Sequence, residues 1–433
     1  MDILTVNDRP GHYPPSFYAA TADLLNPFPR AEGEIDADVC VIGGGFTGLS
    51  AALHLARRGF RTVLLEASRV GSGASGRNGG QVGTGQRLEQ TDLEPMVGQE
   101  RARALWDLGL ESVALVKSLA DEASADCEWV PGIIHADHRA RYTRHSRRIV
   151  EHMAEHYGYD QMRFLDRDAI RAEIGSADYV SGVLDLGGAH VHPLKYALAL
   201  ARLATDFGVQ ILENSRAIEI EPGKKVVVKT GSATIRADFL ILGLNGYHNN
   251  IDTRLAARVM PINNFIAVTE PLGGERAKSL IANDYAVADS RFVINYFRLS
   301  RDNRMVFGGG ESYGYRFPRD IGAKVRKPML QVFPQLADTR IDYAWGGTLG
   351  ITMSRLPQFE KLSGNILSLS GFSGHGVAMA TLAGRIASEA IAGQAERFDL
   401  FAQLPNPRFP GGILLRTPLL AAAMVWFSLR DRV

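Results

Sequence analysis

The sequence predicts an α/β protein: a parallel sheet wound with helices, joined to a second, α+β unit built on an antiparallel sheet. Three observations predict it. Near the N-terminus an apolar run of strand length leads straight into glycines and then into a helical pattern. Two later apolar runs, 239–242 and 366–370, end on glycines in the same way. Between them, over 259–345, short strand-like runs alternate with turns. Strands buried on both faces read as unbroken apolar runs, whereas short alternating runs between turns suit an antiparallel sheet.

The first junction is the most informative. Asp38-Val39-Cys40-Val41-Ile42 suits a buried parallel strand, and Gly43-Gly44-Gly45-Phe46-Thr47-Gly48 follows it at the spacing of a dinucleotide-binding turn. Gly43 permits the tight turn, Gly45 lets backbone approach a pyrophosphate, and Gly48 lets the next helix pack close on the strand. Leu49, Ala52, Leu53 and Ala56 recur at helical spacing, Arg57 and Arg58 complement a helix C-terminus, and Gly59 supplies a left-handed cap. A second strand at 61–65 ends on Glu66, about twenty residues past the glycines, where an acid accepts hydrogen bonds from ribose hydroxyls. That acid disfavours a 2′-phosphate, so the expected nucleotide is FAD or NAD and not NADP.

Composition narrows the class. A chain of 433 residues exceeds one typical core, which predicts two domains interleaved in sequence. Hydrophobic content of 45% and charged content of 22% are those of an ordinary globular enzyme, and a formal net charge of +1 leaves no electrostatic footprint for nucleic acid. The two cysteines, Cys40 and Cys127, form neither a disulfide framework nor a metal cluster, which predicts a reducing, cytoplasmic compartment. The polar, proline-rich residues 1–29 read as an arm and not as a signal peptide. The apolar run at 414–427 is far shorter than the roughly 20 residues a spanning helix needs, so it reads as a terminal helix docked on the protein and no stable membrane insertion is expected.

Further along, the glycine-rich segment 68–81 brings backbone amides close to something flat or anionic. Residues 99–123 and 142–157 read as helices. His145, His152 and His156 on the second of these lack a metal-ligand pattern and read as a solvated face, so no metal is expected. Asp166 caps a short helix. Pro193 opens a helix ended by Gly208, after which strands are expected at 210–212, 217–220, 225–229, 233–237 and 239–242. In the alternating region, strands are expected at 265–269, 291–299 and 304–307. Finally, strand 366–370 passes through Gly371-Phe372-Ser373-Gly374-His375-Gly376 into a helix at 378–391, whose N-terminus supplies free amides.

These residues resemble a known family, the D-amino-acid-oxidase-like FAD-dependent amine oxidoreductases, and most closely its gamma-glutamylputrescine oxidase branch. The resemblance spans nearly the whole chain. It rests on Ser16-Phe17-Tyr18-Ala19-Ala20, the glycines at 43–48, Gly73-Ala74-Ser75-Gly76-Arg77-Asn78-Gly79-Gly80-Gln81, His190-Val191-His192-Pro193-Leu194-Lys195-Tyr196, the segment 371–376, and Phe409-Pro410-Gly411-Gly412. It implies a Rossmann-like FAD-binding domain made of residues 1–90, 185–250 and 346–433, and a substrate domain made of 91–184 and 251–345. FAD would lie along Gly43, Gly45, Phe46, Thr47 and Gly48, with Glu66 and Ala67 at its ribose and Ala217 and Ile218 at its adenine. Ser75, Gly76, Arg77, Asn78, Gly79, Gly80 and Gln81, with Gly371, Gly374, His375 and Gly376, would hold the isoalloxazine.

Departures from the family inform the substrate. Related sarcosine oxidases place a lysine three residues after the histidine of the Gly-His-Gly element, where this chain has Ala378. Related glycine oxidases place an arginine four residues after a tryptophan, and counting from Trp345 gives Leu349. Burying a carboxylate unpaired costs several kcal/mol, so an amine without an adjacent carboxylate is the expected substrate. Sarcosine oxidases also tether their flavin through a cysteine near this region. Cys40 and Cys127 lie elsewhere, so FAD is expected to be non-covalent. The expected activity is oxidation of gamma-glutamylputrescine or a similar amine to an imine and then an aldehyde, with oxygen or another electron acceptor. Tyr296, Arg298 and His375 are the candidates for lining the catalytic site. A dehydrogenase feeding a quinone or carrier, and a non-catalytic FAD-binding subunit, are the other classes compatible with these motifs.

Overall fold

The computed structural model describes residues 2–248, 251–312 and 314–412. The apolar run at 414–427 lies outside the described residues. Two sheets organise the chain. In the first, Gly33–Ile42 is central, with Ala233–Leu242 on one side and Thr62–Leu65 on the other, both parallel. Gln210–Leu212 and Ile366–Ser370 extend the parallel run outward, and Gln358–Ser363 closes one edge antiparallel.

Successive side chains of Gly33–Ile42 point to opposite faces and feed separate cores. Val39 and Val41 pack with the helices Phe46–Arg57, Pro193–Asp206 and Gly376–Ile391, whereas Cys40 and Ile42 pack with the hairpin Glu219–Glu221 and Val226–Lys229. The expected strands at 233–237 and 239–242 are one continuous strand. Its first half pairs with Gly33–Ala37 on one edge and with Val226–Lys229 on the other, so ladder bonds carry it past the polar residues that suggested a break.

The second sheet has the strand order Ile341–Ile351, Met260–Thr269, Met305–Ser312, Tyr296–Leu299, Ala286–Asp289, Val130–Asp137, Ser181–His190, Gln81–Val82, with Met162–Leu165 also on Ser181–His190. It is antiparallel except where Ala286–Asp289 runs parallel to Val130–Asp137. The strand expected at 291–299 is confined to Tyr296–Leu299, because Asp289 turns the chain: its Oδ1 accepts from Arg291 N (3.2 Å) and Asn295 N (3.0 Å). Ser181–His190 runs across the expected boundary at 184/185 and Ile341–Ile351 across that at 345/346.

The N-terminal segment is more than a surface arm. Ser16 caps the helix Phe17–Thr21, and Phe17 and Tyr18 are buried, with the Tyr18 ring 5.1 Å from Trp345 and 4.8 Å from His192. Among the described residues no helix is long and apolar enough to cross a membrane.

Two expected outcomes follow from this packing. A Cβ on Gly48 would lie 1.9 Å from Gly43 O and 3.2 Å from Val41 Cγ1, so Gly48→Ala must push the helix off its strand. The substitution should destabilise the protein by on the order of 3 kcal/mol, read as a lowered denaturation midpoint. Separately, burial holds the pKa of His54 down to about 4 and that of His190 to about 3. On acidification the unfolded chain takes up protons near its ordinary histidine pKa while the folded chain does not. The contribution of these two histidines is therefore fully present above about pH 6.5 and falls toward pH 4, by roughly 1.4 kcal/mol per pH unit for each. The half-buried Asp284 carboxyl, raised to about 6 by desolvation, works in the opposite direction. Chemical unfolding at stepped pH, compared with His54→Asn, checks this: the variant should lose less stability on acidification, and identical pH slopes would refute it.

Candidate active site

A cavity of about 1320 Å³ draws its wall from both sheets and from all three strand-to-glycine junctions. At its nucleotide end lie Gly43, Gly45, Phe46 and Thr47. Gly43 has φ +110°, and a Cβ there would meet Gly243 O at 2.7 Å, so only glycine lets two strand ends approach this closely. Gly45 precedes the helix Phe46–Arg57, whose first residues, Phe46 and Thr47, line the cavity end, where a helix N-terminus favours anions. The amide of Phe46 donates to Ser75 Oγ at 3.0 Å, so the later glycine loop reaches back onto this helix N-terminus. Gly48 faces the strand and lies outside the wall.

Glu66 ends the next strand and lines the cavity together with Ala67. Its Oε2 accepts from Gly44 N at 2.7 Å and its Oε1 from Ser68 N at 2.8 Å. Burial pushes the carboxyl upward, and those amides oppose the rise. Each oxygen keeps a lone pair for a further donor, the requirement for holding a ribose. Ala217 and Ile218 line the same end just before Glu219–Glu221, with Ile218 N donating to Lys229 O at 2.8 Å.

The loop at 73–81 is braced from within. Asn78 Nδ2 donates to Ala74 O and Ser75 O, and Asn78 Oδ1 accepts from Gly80 N at 2.8 Å. Gly76 and Gly80 lie outside the wall: a Cβ at the first would meet Gly71 O at 2.3 Å and at the second Val191 O at 2.1 Å. Gly79 lies flat beneath Tyr296, whose ring would touch a Cβ there at 2.7 Å. Arg77 lines the cavity but its guanidinium is spent on Asp8 (2.9 Å) and Gly346 O (3.2 Å). Gln81 Nε2 donates to Val287 O at 2.9 Å.

The three catalytic candidates separate. Tyr296 lines the cavity with its hydroxyl on Asn264 Oδ1 at 2.5 Å, and His375 lines it with Nε2 3.2 Å from Gly85 O. Burial, reinforced by Arg87, holds the His375 pKa down to about 4, so the ring is neutral near pH 7. Arg298 is not in the wall. It is 2% exposed and donates to Gly79 O (3.0 Å), Val191 O (3.2 Å), Leu299 O (3.0 Å) and the Tyr18 hydroxyl (3.4 Å), which makes it an interior brace behind the loop. Tyr296 and Arg298 share a face of the strand, but Arg298 sits further in and turns back on the loop. Gly374 and Gly376 line the cavity, whereas Gly371, with φ +68°, packs on Thr352 away from it.

Sequence reading passed over several contributors. Asn245, at φ +46°, lines the cavity and its Oδ1 accepts from Gly371 N at 3.2 Å, joining the second and third junctions. The signal was an asparagine beside glycine at a strand end, where left-handed backbone is needed. Buried Glu213 accepts from Val70 N at 2.7 Å and pairs with Arg69 at 2.7 Å, tying the loop after Glu66 to the first sheet. The histidines read as solvated meet acids from another segment: His145 Nε2 lies 2.6 Å from Glu89 Oε2 and His152 Nε2 lies 2.8 Å from Glu94 Oε1.

A glycine cradle at a helix N-terminus, an acid with spare acceptor capacity and a continuous cavity fit a dinucleotide cofactor. Glu66→Gln should leave the fold intact and weaken FAD binding about tenfold, about 1.4 kcal/mol, in a flavin titration of the apoprotein. Unchanged affinity would remove Glu66 from the ribose site.

Comparison with known proteins agrees with this geometry. Residues 38–390 match the family described as FAD dependent oxidoreductase (DAO). The chain is 42% identical to the protein named Probable oxidoreductase OrdL of Rhizobium meliloti (strain 1021), over 96% of this chain and 97% of that one. It is 40% identical to the gamma-glutamylputrescine oxidoreductase of Escherichia coli (strain K12), over 96% of this chain and 98% of that one. In fold it is similar to the crystal structure of glycine oxidase from Geobacillus kaustophilus, with a TM-score of 0.70 at 19% identity, covering 86% of this chain and 99% of the other.

Proposed function

The chain belongs to the DAO family of FAD-dependent oxidoreductases, and on that premise we propose that it oxidises an amine of the gamma-glutamylputrescine type, holding FAD without a covalent link. The reading rests on the 40% identity over 96% of the chain to gamma-glutamylputrescine oxidoreductase. Two features of the site support it. Leu349, which stands where related glycine oxidases carry a carboxylate-binding arginine, presents an apolar side chain in the cavity wall. Arg291 also lines the wall, but Asp289 and Asp178 hold it at 2.5 and 2.6 Å. Neither offers an anchor to an α-carboxylate. The free cysteines Cys40 and Cys127 are buried outside the wall.

The residues of the chain bind, orient and desolvate. Residues 43–47 and Glu66 would hold the nucleotide half of FAD, and the loop at 73–81 with Gly374, His375 and Gly376 the ring half. When bound, FAD supplies a hydride acceptor at N5, and the resulting imine hydrolyses to an aldehyde and an amine or ammonia. Tyr296 stacks over Gly79 and, fixed by Asn264, limits the approach of substrate to one side. Neutral His375 lines the same cavity without adding a positive charge of its own that would repel an amine.

The test is anaerobic mixing of the purified yellow protein with gamma-glutamylputrescine, putrescine, spermidine, sarcosine or D-alanine, followed by admission of oxygen. Bleaching of the flavin band by gamma-glutamylputrescine is the expected result, and rapid recovery in air identifies an oxidase. Bleaching by D-alanine or sarcosine alone would overturn the substrate assignment.

A further inference from the structure

One ionisable group in the cavity wall is used by neither the nucleotide cradle nor the glycine loops. The strand Val130–Asp137 directs Ile133, His135 and Asp137 to one face, and all three line the cavity. Ile133 and Asp137 are buried, whereas the His135 side chain is open to the cavity space. Among the described residues its ring makes no hydrogen bond. An imidazole with donor and acceptor both free, inside a pocket, is suited to a ligand that takes them.

Its surroundings are anionic. Antiparallel pairing sets Val183 opposite His135 and Asp185 opposite Ile133, so Asp185 lies diagonally beside His135 on the same face. Asp185 is 1% exposed and accepts from the Tyr159 hydroxyl (2.6 Å), Gly187 N (3.0 Å) and Thr84 Oγ1 (2.5 Å). Asp137 is 5% exposed and accepts from Ser146 Oγ (2.7 Å) and Ser181 Oγ (2.8 Å). No ion pair reaches either carboxylate among the described residues. The other charged groups near His135 are Glu89 and Arg87 ahead of the helix Gln90–Val97, His375 at the last junction, and His145 of the helix Ala140–Tyr157, itself paired with Glu89. Burial lowers the His135 pKa, Arg87 adds to that, and Asp185, Glu89 and Asp137 oppose it. The lowered pKa favours the neutral ring near pH 7, and the buried Asp185 and Asp137 side chains are placed to stabilise the cation it becomes on protonation.

We propose that His135 is a catalytic base that accepts a proton from the ammonium group of the substrate. The proposal rests on the amine reading above. One N–H bond of the ammonium breaks, its electron pair stays on the substrate nitrogen, and the proton bonds to a ring nitrogen of His135. No electron is transferred, and the neutral amine then has the lone pair that hydride loss from its neighbouring carbon requires.

His135→Asn and His135→Gln are tested in the FAD-loaded protein, with flavin content and melting temperature expected to match the unsubstituted enzyme because the ring supports nothing else. The first readout is binding of tert-butylamine, which has no hydrogen on the carbon bearing nitrogen, followed by perturbation of the flavin spectrum between about pH 6 and pH 10. Loss of His135 should weaken binding about tenfold near neutrality and change its pH dependence. The second readout is anaerobic bleaching by a reactive amine. It should slow roughly 100-fold near neutral pH and approach the unsubstituted rate at high pH, where the amine is already neutral. Unchanged binding and an unchanged pH profile in both variants would overturn the proposal, as would failure of the unsubstituted enzyme to bind tert-butylamine. His135-dependent binding without bleaching by any amine would overturn the reaction assigned above while upholding the amine site.

Discussion

Helix Phe46–Arg57 is clamped on both sides by backbone, and the remainder of the nucleotide end depends on that clamp. A Cβ on Gly48 would reach Gly43 O at 1.9 Å, and one on Gly384 of the helix Gly376–Ile391 would reach Thr47 O at 2.3 Å and Ala51 N at 2.6 Å. No side chain separates the helix from its strand or from its neighbour at these points. Interiors packed this closely do not deform gradually. The helix axis is therefore fixed, its first residues line the cavity, and the strand ends at Gly43 and Gly243 meet at the same place.

From that fixed point the structure works outward through buried polar groups. Glu66 ties Gly44 to Ser68, and Glu213 with Arg69 ties the following loop to the first sheet. Arg298 then joins the loop at 73–81 to the N-terminal segment and to residue 191, using its planar fork on several carbonyls at once. A buried guanidinium with this many acceptors is costly to remove and difficult to redirect toward a ligand. That is why Arg298 braces the wall instead of lining it.

Legibility in the sequence follows the range of the interactions concerned. The glycines at 43–48, Glu66, the Asp166 cap and the helix ended by Gly208 were readable because each expresses a local backbone requirement. The strands Val130–Asp137, Met162–Leu165 and Ser181–His190 were not, since their side chains face a cavity on one side and mix polar with apolar residues there. Tyr296 and Arg298 looked equivalent from their spacing. What separates them is a contact with residues more than a hundred positions away.

The sequence by itself supplied the dinucleotide-binding glycine pattern at 43–48 with Glu66 after the second strand, the resemblance to an FAD-dependent family, and Leu349 and Ala378 at the two positions where that resemblance leads one to expect carboxylate anchors. Only the tertiary structure decided which side chains reach the cavity. It put Leu349 in the wall and buried Ala378 in a helix, took Arg298 out, and brought His135 in beside Asp185 and Asp137. The reason is register: a strand pairs with partners distant in the chain, and a shift of one residue would turn His135 away from the cavity and Ile134 into it.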